Sequence, residues 1–390
     1  MNGWKATHSK SNIDPKMKTV LVTGAAGFIG KHICLALKRW GDVEVLEFLS
    51  SNSIEEIPGM ISRADVVIHL AGVNRPKTEE EFESGNAGFT SMLCEGLKSD
   101  GRNLPLIVSS TIQAGKDNPY GQSKLGAEKA AIAYHEECGA PVYLYRLPNV
   151  FGKWSRPMYN TVVATFCHNI SRGLPVTVNA PEAMLQLTYI DDLVAEFVAV
   201  AMGEKSPAQP YPEVSPIHTI LLQELCDTIQ SFEDNRRLSK LADLGDPLTK
   251  ALYSTYLSFL PKEDFGYPVD LKTDDRGWLF ELVKSDAAGQ IFVSKTKPGI
   301  TRGHHYHDSK VEKFCVIKGK GTIRFRHVLE NEILSYPVDD ETIQVVDIPP
   351  GLTHSIENTG EEEMITLFWA NEIFDPNHPD TFFVKVDESV

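Results

Sequence analysis

The residues most able to do chemistry fall into two groups. The first lies in the stretch from Gly299 to Gly319, which carries His305, His307 and Glu312 in that order. Histidines separated by one residue share a face of a β-strand, because side chains alternate with period two. A carboxylate a few residues later can complete a nitrogen/oxygen metal site from the neighbouring strand. A second run, Pro349-x-Gly351 followed by His354 and Asn358, brings in a third imidazole. His305, His307, Glu312 and His354 are therefore the candidate ligands of a divalent metal. Three imidazoles and one carboxylate suit zinc first, with manganese, iron and nickel also compatible. Such an ion can polarise a ketone or enediolate oxygen. It can equally hold the strands together, leaving proton transfer to His304, Tyr306 or Lys310.

The second group pairs Tyr120 with Lys124 in Pro119-Tyr120-Gly121-Gln122-Ser123-Lys124. This spacing on a helix stacks a phenol and an ammonium on one face. Pro119 suits the first helical position, with Asn118 or Asp117 as its cap. A phenol titrates near pH 10, so acid–base work near neutrality needs a shift of about 3 units, or about 4 kcal/mol, which a nearby cation can supply. Upstream, Ser109-Ser110-Thr111 ends an apolar run and offers hydroxyls to a substrate carbonyl. Earlier still, Thr23-Gly24-Ala25-Ala26-Gly27-Phe28-Ile29-Gly30 follows a β-branched run and opens a helical pattern. Gly24 permits the tight turn, Gly27 the approach of a pyrophosphate, and Gly30 close helix–strand packing. Backbone N–H groups at the helix start, around Phe28 and Ile29, face the anion.

Strand-like runs at 18–22, 43–48, 66–70, 106–109 and 142–146 alternate with helical segments at 28–40, 80–99 and 119–138. That alternation predicts a doubly wound, Rossmann-type parallel sheet with helices on both faces. The texture changes after Pro261, through Lys262 to Pro268, to short alternating strands such as Thr322–Val328. A β-sandwich or barrel is expected there. The predicted organisation is a disordered polar extension over 1–16, an α/β domain over 17–264 and a β-barrel over 265–390.

A formal net charge of −15 argues against nucleic acid and anionic membrane as partners. No apolar run reaches the roughly 18 residues of a membrane helix, and the first residues contain no apolar secretion core. Six scattered cysteines without a CxxC pair read as reduced thiols of a cytoplasmic protein.

The His305/His307/Glu312 and Pro349/Gly351/His354/Asn358 runs resemble the paired motifs of the cupin family, a small jelly-roll barrel. Ile343 stands where the second motif usually begins with glycine. Thr23–Gly30, Ser109–Thr111 and the Tyr120/Lys124 pair together resemble the extended short-chain dehydrogenase/reductase family, over roughly residues 17–260. Leu70-Ala71-Gly72, Asn86, Arg146–Gly152 and Tyr189–Asp192 match further segments of that family. The resemblance implies a dinucleotide held by Gly24, Gly27, Phe28, Ile29, Gly30, Leu70, Ala71, Tyr120 and Lys124. It makes Tyr120 the proton donor and Lys124 its tuner and the holder of the nicotinamide ribose. Thr111 takes the hydroxyl role, with Ser110 the alternative, and Asn149 contacts substrate. The interval from Thr111 to Tyr120 is shorter than in most nucleotide-sugar epimerases. Asp274–Glu281 resembles the opening motif of nucleoside-diphosphate 4-keto-sugar 3-epimerases, which assigns Arg276 to the substrate diphosphate.

Both halves together resemble the bifunctional capsular-polysaccharide family that fuses such a reductase to a cupin. The likeness is dense at Leu70–Pro76, Asp117–Gly121, Phe151–Trp154, Tyr253–Leu257, Lys320–Val328 and Phe374–Asn377. It implies C3 epimerisation of a UDP-linked 2-acetamido-2,6-dideoxy-hexos-4-ulose in the barrel, then reduction of the C4 ketone, toward UDP-N-acetyl-L-fucosamine. No acid follows β-strand residue Phe48, whereas Ser50, Ser51 and Asn52 could donate to a phosphate near Lys31 or Arg39. NADPH is therefore expected, with NADH the alternative. A homodimer or higher homo-oligomer is expected from the barrel. Two rival readings are an NAD-retaining dehydratase or 4-epimerase with a structural barrel, and a non-enzymatic dinucleotide sensor. The Tyr120/Lys124 pair argues against the sensor.

Overall fold

Short apolar, β-branched runs bounded by glycine and polar turns form the strands, and the segments between them form helices. The computed structural model describes residues 17–238, 240–268, 272–274, 277–279, 289–372 and 377–390. In chain order these give β1 (Lys18–Thr23), α1 (Phe28–Trp40), β2 (Val43–Phe48), α2 (Ile57–Arg63), β3 (Val66–His69), α3 (Glu80–Phe82), α4 (Phe89–Asp100), β4 (Leu106–Thr111), α5 (Pro119–Cys138) and β5 (Val142–Leu147). There follow β6 (Asn149–Phe151), α6 (Val162–Ile170), β7 (Met184–Tyr189), α7 (Ile190–Met202), β8 (His218–Leu221), α8 (Leu222–Arg237) and α9 (Pro247–Leu257). The remaining strands are β9 (Gly266–Pro268), β10 (Lys272–Asp274), β11 (Gly277–Leu279), β12 (Gln290–Thr296), β13 (Thr301–Tyr306), β14 (Glu312–Lys318) and β15 (Lys320–His327). The last five are β16 (Ile333–Asp339), β17 (Gln344–Ile348), β18 (Leu352–Asn358), β19 (Met364–Ala370) and β20 (Phe382–Phe383).

Two compact units result. One runs to Pro148 and takes in Asp192–Ser215, and the other comprises Asn149–Asp191 and Pro216–Val390. The expected boundary near residue 265 does not coincide with this division, because 149–191 and 216–264 pack with the barrel. No helix among the described residues is long and apolar enough to cross a membrane.

The first unit holds a parallel sheet in the order β2-β1-β3-β4-β5. Its inner strands are buried on both faces, so Val20, Leu21 and Val22 have no exposed surface. The strand order switches direction between β1 and β3. In an open α/β sheet a ligand crevice forms there, beyond the carboxyl ends of those strands. The helix expected over 80–99 is interrupted: α3 gives way to a π-helical stretch, Glu83–Gly88, before α4 begins. The cause is Asn86, whose amide accepts from Val73 N at 2.9 Å and donates to Val73 O at 3.1 Å. The extra residue in that turn lets the side chain reach the loop after β3.

In the second unit, β6, β7 and β8 form a small sheet beside α6, α8 and α9. The rest is a jelly-roll of two antiparallel sheets, β12-β19-β14-β17-β9 and β16-β15-β18-β13-β20. A buried charge cluster ties α8 to the barrel. Asp347 on β17 sits between Arg236 of α8 and Lys313 of β14, whose Nζ lies 2.5 Å from it. Lys313 also donates to the Tyr267 hydroxyl at 2.9 Å.

Candidate active site and metal centre

The crevice of the first unit is shaped by glycines. Gly24 has φ +69°, and a Cβ there would lie 2.7 Å from Ala71 N, so only glycine lets the β1 turn pass over Leu70–Ala71. A Cβ on Gly30 would lie 2.3 Å from Gly24 O, so α1 can pack onto the turn only without a side chain. Helix α1 begins after Gly27 with no side-chain cap and no acid in its first turn. The N–H groups of Phe28 and Ile29 are among the donors a helix start leaves unpaired. A dinucleotide pyrophosphate fits this cradle. Beneath it, the Thr23 hydroxyl accepts from Leu70 N (3.2 Å) and Ala71 N (3.3 Å) and hydrogen-bonds His69 Nδ1 (2.7 Å). His69 Nε2 meets Thr90 Oγ1 at 2.9 Å. Burial, and then the Lys124 charge, push this imidazole down to about 3, so it is a neutral strut. At the end of β2, Asn52 is bound into a local turn, accepting from Leu49 N (2.8 Å) and donating to Glu56 (2.9 Å).

Beside the crevice, α5 starts as its sequence signals predict, with Pro119 at its first position and the Asn118 side chain accepting from Gly121 N. Tyr120 and Lys124 are both half-buried. Lys124 Nζ donates to Ser109 O at 2.9 Å. The Thr111 hydroxyl lies near enough to the Tyr120 phenol to act on its titration, while the Ser110 hydroxyl donates to buried Glu128 at 2.5 Å. The geometry thus brings Thr111, Tyr120 and Lys124 together and commits Ser110 elsewhere. Electrostatically the pair differs from the sequence expectation. Burial raises the Tyr120 phenol above its usual value, with the nearby Thr111 hydroxyl acting the other way. Burial also pushes Lys124 down to about 8, opposed by Glu128. Glu128 was not singled out from sequence, although its spacing from Lys124 and Tyr120 keeps all three on one helix face. It is fully buried and grips Arg146 at 3.0 and 2.6 Å.

Asn149 lies on β6 in the other unit and donates to Gln186 O at 3.2 Å. Arg276, the expected diphosphate contact, lies outside the described residues, as do residues 1–16 and Phe374–Pro376.

In the barrel, His305 on β13, His307 just after it, Glu312 on β14 and His354 on β18 converge from the two facing sheets, their ligand atoms all within 4.8 Å of one another. His305 and His354 are direct cross-strand partners. A β-bulge between Gly303 and His305, with His304 at φ +60°, adjusts the alternation so that His305 faces His354. His307 Nε2 and His354 Nε2 stand 3.2 and 3.4 Å from one Glu312 oxygen. Neither makes an aligned hydrogen bond, so two buried nitrogens have no partner among the described residues. Nitrogen and oxygen ligands about 2.0–2.2 Å from a tetrahedral zinc lie about 3.4 Å apart, so the donor set fits such an ion. Burial and the neighbouring imidazoles hold His305 down to about 3, in the neutral form that ligates. Burial works against the Glu312 carboxylate, yet the two imidazoles hold it well below its usual range. A cavity of about 170 Å³ adjoins the centre, walled by Phe292, Phe314 and Phe368 with Arg302 at its side.

The other residues considered for proton transfer are engaged elsewhere. His304 Nδ1 accepts from Val386 N (3.3 Å), Tyr306 packs on Phe382, and Lys310 donates to Pro379 O (2.6 Å). Sequence reasoning also missed what holds the loop after His307. Buried Lys153 donates to Asp191 (2.8 and 3.0 Å) and to Asp308 O (2.9 Å). Burial raises the Asp191 carboxyl to about 6, against the pull of Lys153. Asp380 binds the loop from the opposite end of the chain. No local spacing signals either contact.

Residues 20–211 match the model of the NAD dependent epimerase/dehydratase family, and residues 272–382 that of the polysaccharide biosynthesis C-terminal domain. The chain is 46% identical over 369 residues to the UDP-2-acetamido-2,6-beta-L-arabino-hexul-4-ose reductase of Pseudomonas aeruginosa, covering 95% of this chain and 99% of that one. It resembles the crystal structure of the capsular polysaccharide assembling protein CapF from Staphylococcus aureus, with TM-score 0.65 and 43% identity over 94% of this chain and 99% of that one. A UDP-glucuronic acid 4-epimerase from Bacillus cereus, 22% identical with TM-score 0.50 over 55% of this chain and 84% of its own, shares the fold alone. By its length-wide identity, the chain belongs to the family of capsular-polysaccharide UDP-hexulose reductases in which a short-chain dehydrogenase/reductase domain is fused to a cupin barrel.

Proposed function

We propose that the chain epimerises a UDP-2-acetamido-2,6-dideoxy-hexos-4-ulose at C3 in the barrel, residues 265–390, and then reduces its C4 ketone in the domain formed by 17–264. The product is a surface-polysaccharide precursor of the UDP-N-acetyl-L-fucosamine series. One observation carries the reading: Thr111, Tyr120 and Lys124 beside a dinucleotide crevice share a chain with a four-ligand centre, at 46% identity to a reductase of such a substrate.

Chemistry fixes the order. The C3–H is acidic enough to be removed only while C4 is a ketone, because the resulting carbanion is then an enediolate. Reduction removes the activating carbonyl and locks C3. Gly24, Gly27, Phe28, Ile29, Gly30, Leu70 and Ala71 would line the dinucleotide, which we assign as NADPH and which supplies the hydride for C4 when bound. Tyr120 donates its phenolic proton to O4, and Thr111 holds the phenol and the substrate carbonyl in register. Lys124, anchored on Ser109 O, keeps positive charge beside the phenolate as it forms and holds the ribose.

His305, His307, Glu312 and His354 would hold the divalent ion, zinc by ligand chemistry, which supplies Lewis acidity toward the keto-sugar oxygens. Phe292, Phe314 and Phe368 shelter the sugar ring from water. Arg276 is assigned to the substrate diphosphate by its motif, and Asn149 to the substrate on the reductase side. All six cysteines are free thiols, which supports a cytoplasmic location, and we assign the chain to a homodimer.

The test uses the full chain with the UDP-4-keto sugar in D₂O. Without NADPH, deuterium enters at C3; with NADPH added, the nicotinamide absorbance falls and the label is locked in product. NADPH consumption without any C3 label would reduce the chain to a simple 4-reductase.

A further inference from the structure

The geometry points to Asp380 as the residue that positions the metal ligand His307. This inference rests on the reading of His305, His307, Glu312 and His354 as a metal centre. His307 lies just beyond the end of β13, so no strand ladder fixes its ring. Its Nδ1 instead donates to the backbone carbonyl of Asp380, 2.5 Å away. That bond selects the tautomer whose Nε2 lone pair is directed at the centre, 3.2 Å from Glu312.

The side chain of Asp380 grips the loop that follows the ligand. Its carboxylate accepts the backbone N–H groups of Asp308 (2.9 Å), Ser309 (3.0 Å) and Lys310 (2.7 Å), and the Ser309 hydroxyl (3.0 Å). One residue therefore holds both the ring and the backbone that carries it. Asp380 adopts φ +38°, in the left-handed region that aspartate tolerates better than most residues. The loop's outward bonds, from Lys153 to Asp308 O and from the Ser254 hydroxyl to Ser309 O (3.0 Å), fix its far side but do not reach the imidazole. His354 has no comparable brace among the described residues: its Nδ1 faces Leu352 O of its own strand, at 3.4 Å. Removing the Asp380 carboxylate releases the loop from the tail and with it the register between His307 and the carbonyl.

Asp380→Asn and Asp380→Ala in the full chain test this, with zinc affinity measured by competition against a chromophoric chelator. A loss of about 10–100-fold relative to the parent is expected, the range for removing an outer-shell partner of a ligating histidine. Lys310→Met serves as control, because it cuts the Nζ bond to Pro379 O on the same tail and leaves the Asp380 grip in place. It keeps the parent affinity. Melting of the metal-free chains separates ligand positioning from general loosening. Parent-like zinc affinity in both Asp380 variants overturns the inference. So does an affinity loss that Lys310→Met shares in proportion to its drop in melting temperature. A parent chain that binds no zinc sinks the metal centre itself, and this inference with it.

Discussion

Lys124 sets the expected pH behaviour of the reduction. Burial lowers its folded pKa to about 8 from an ordinary 10.5, with Glu128 opposing the shift. As pH rises through about 8, the folded chain releases this proton while the unfolded chain still holds it. Stability from this group therefore increases between about 8 and 10.5, where the unfolded state binds more protons. In the proposed role of Lys124, activity moves in the opposite direction, because the charged form would be the one that serves Tyr120. Initial rates of NADPH oxidation should fall with a midpoint near pH 8, and a profile that climbs through that point would contradict this role for Lys124. Tyr120→Phe removes the proton donor and should slow 4-reduction by about 10²–10⁴-fold. Deuterium exchange at C3, measured on the same preparation, should persist. Glu128 belongs to the same helix face, and its bonds to Arg146 and to the Ser110 hydroxyl keep Ser110 from substituting for Thr111.

The elements are held by charges as well as by apolar packing. Asp347 has no exposed surface and pairs with both Arg236 on α8 and Lys313 on β14, each nearly buried. Asp347→Asn would leave two buried cations facing a neutral amide. Breaking a buried pair in this way costs about 3–5 kcal/mol, read as a lower urea midpoint for the second unit. An unchanged midpoint would mean that water or a shifted side chain takes the charge. The bulge at His304 works at this scale too. Side chains on a strand alternate, so without the extra residue between Gly303 and His305 the candidate ligand His305 would turn away from His354. The π-helical stretch before α4 is comparable, spending one residue to bring Asn86 onto the Val73 backbone.

At the scale of the whole molecule, the two proposed reactions should show separable dependences. Stripping divalent ions with a chelator should abolish C3 exchange and leave reduction of an already epimerised sugar unchanged, followed by nicotinamide absorbance. Loss of both activities would tie the ion to the reductase or to folding. The sequence by itself marked what short spacing encodes: the glycine turn after β1, the Tyr120/Lys124 pair on one helix face, and the His305-x-His307 pair with Glu312 close behind as candidate ligands. Each is a local signal, read from turn residues for the glycines and from the periods of strand and helix, two and 3.6, for the side-chain pairs. It likewise marked the change from alternating helices and strands to an all-β texture. Only the tertiary structure decided the rest, because the partners lie far apart in the chain. Asp380 meets His307 across 73 residues, Arg236 meets Asp347 across 111, and Lys153 meets Asp308 across 155. The choice of Thr111 over Ser110 was likewise tertiary, since it depends on which hydroxyl Glu128 draws away. No period links such positions, so their pairing is fixed only when each unit packs around its own core.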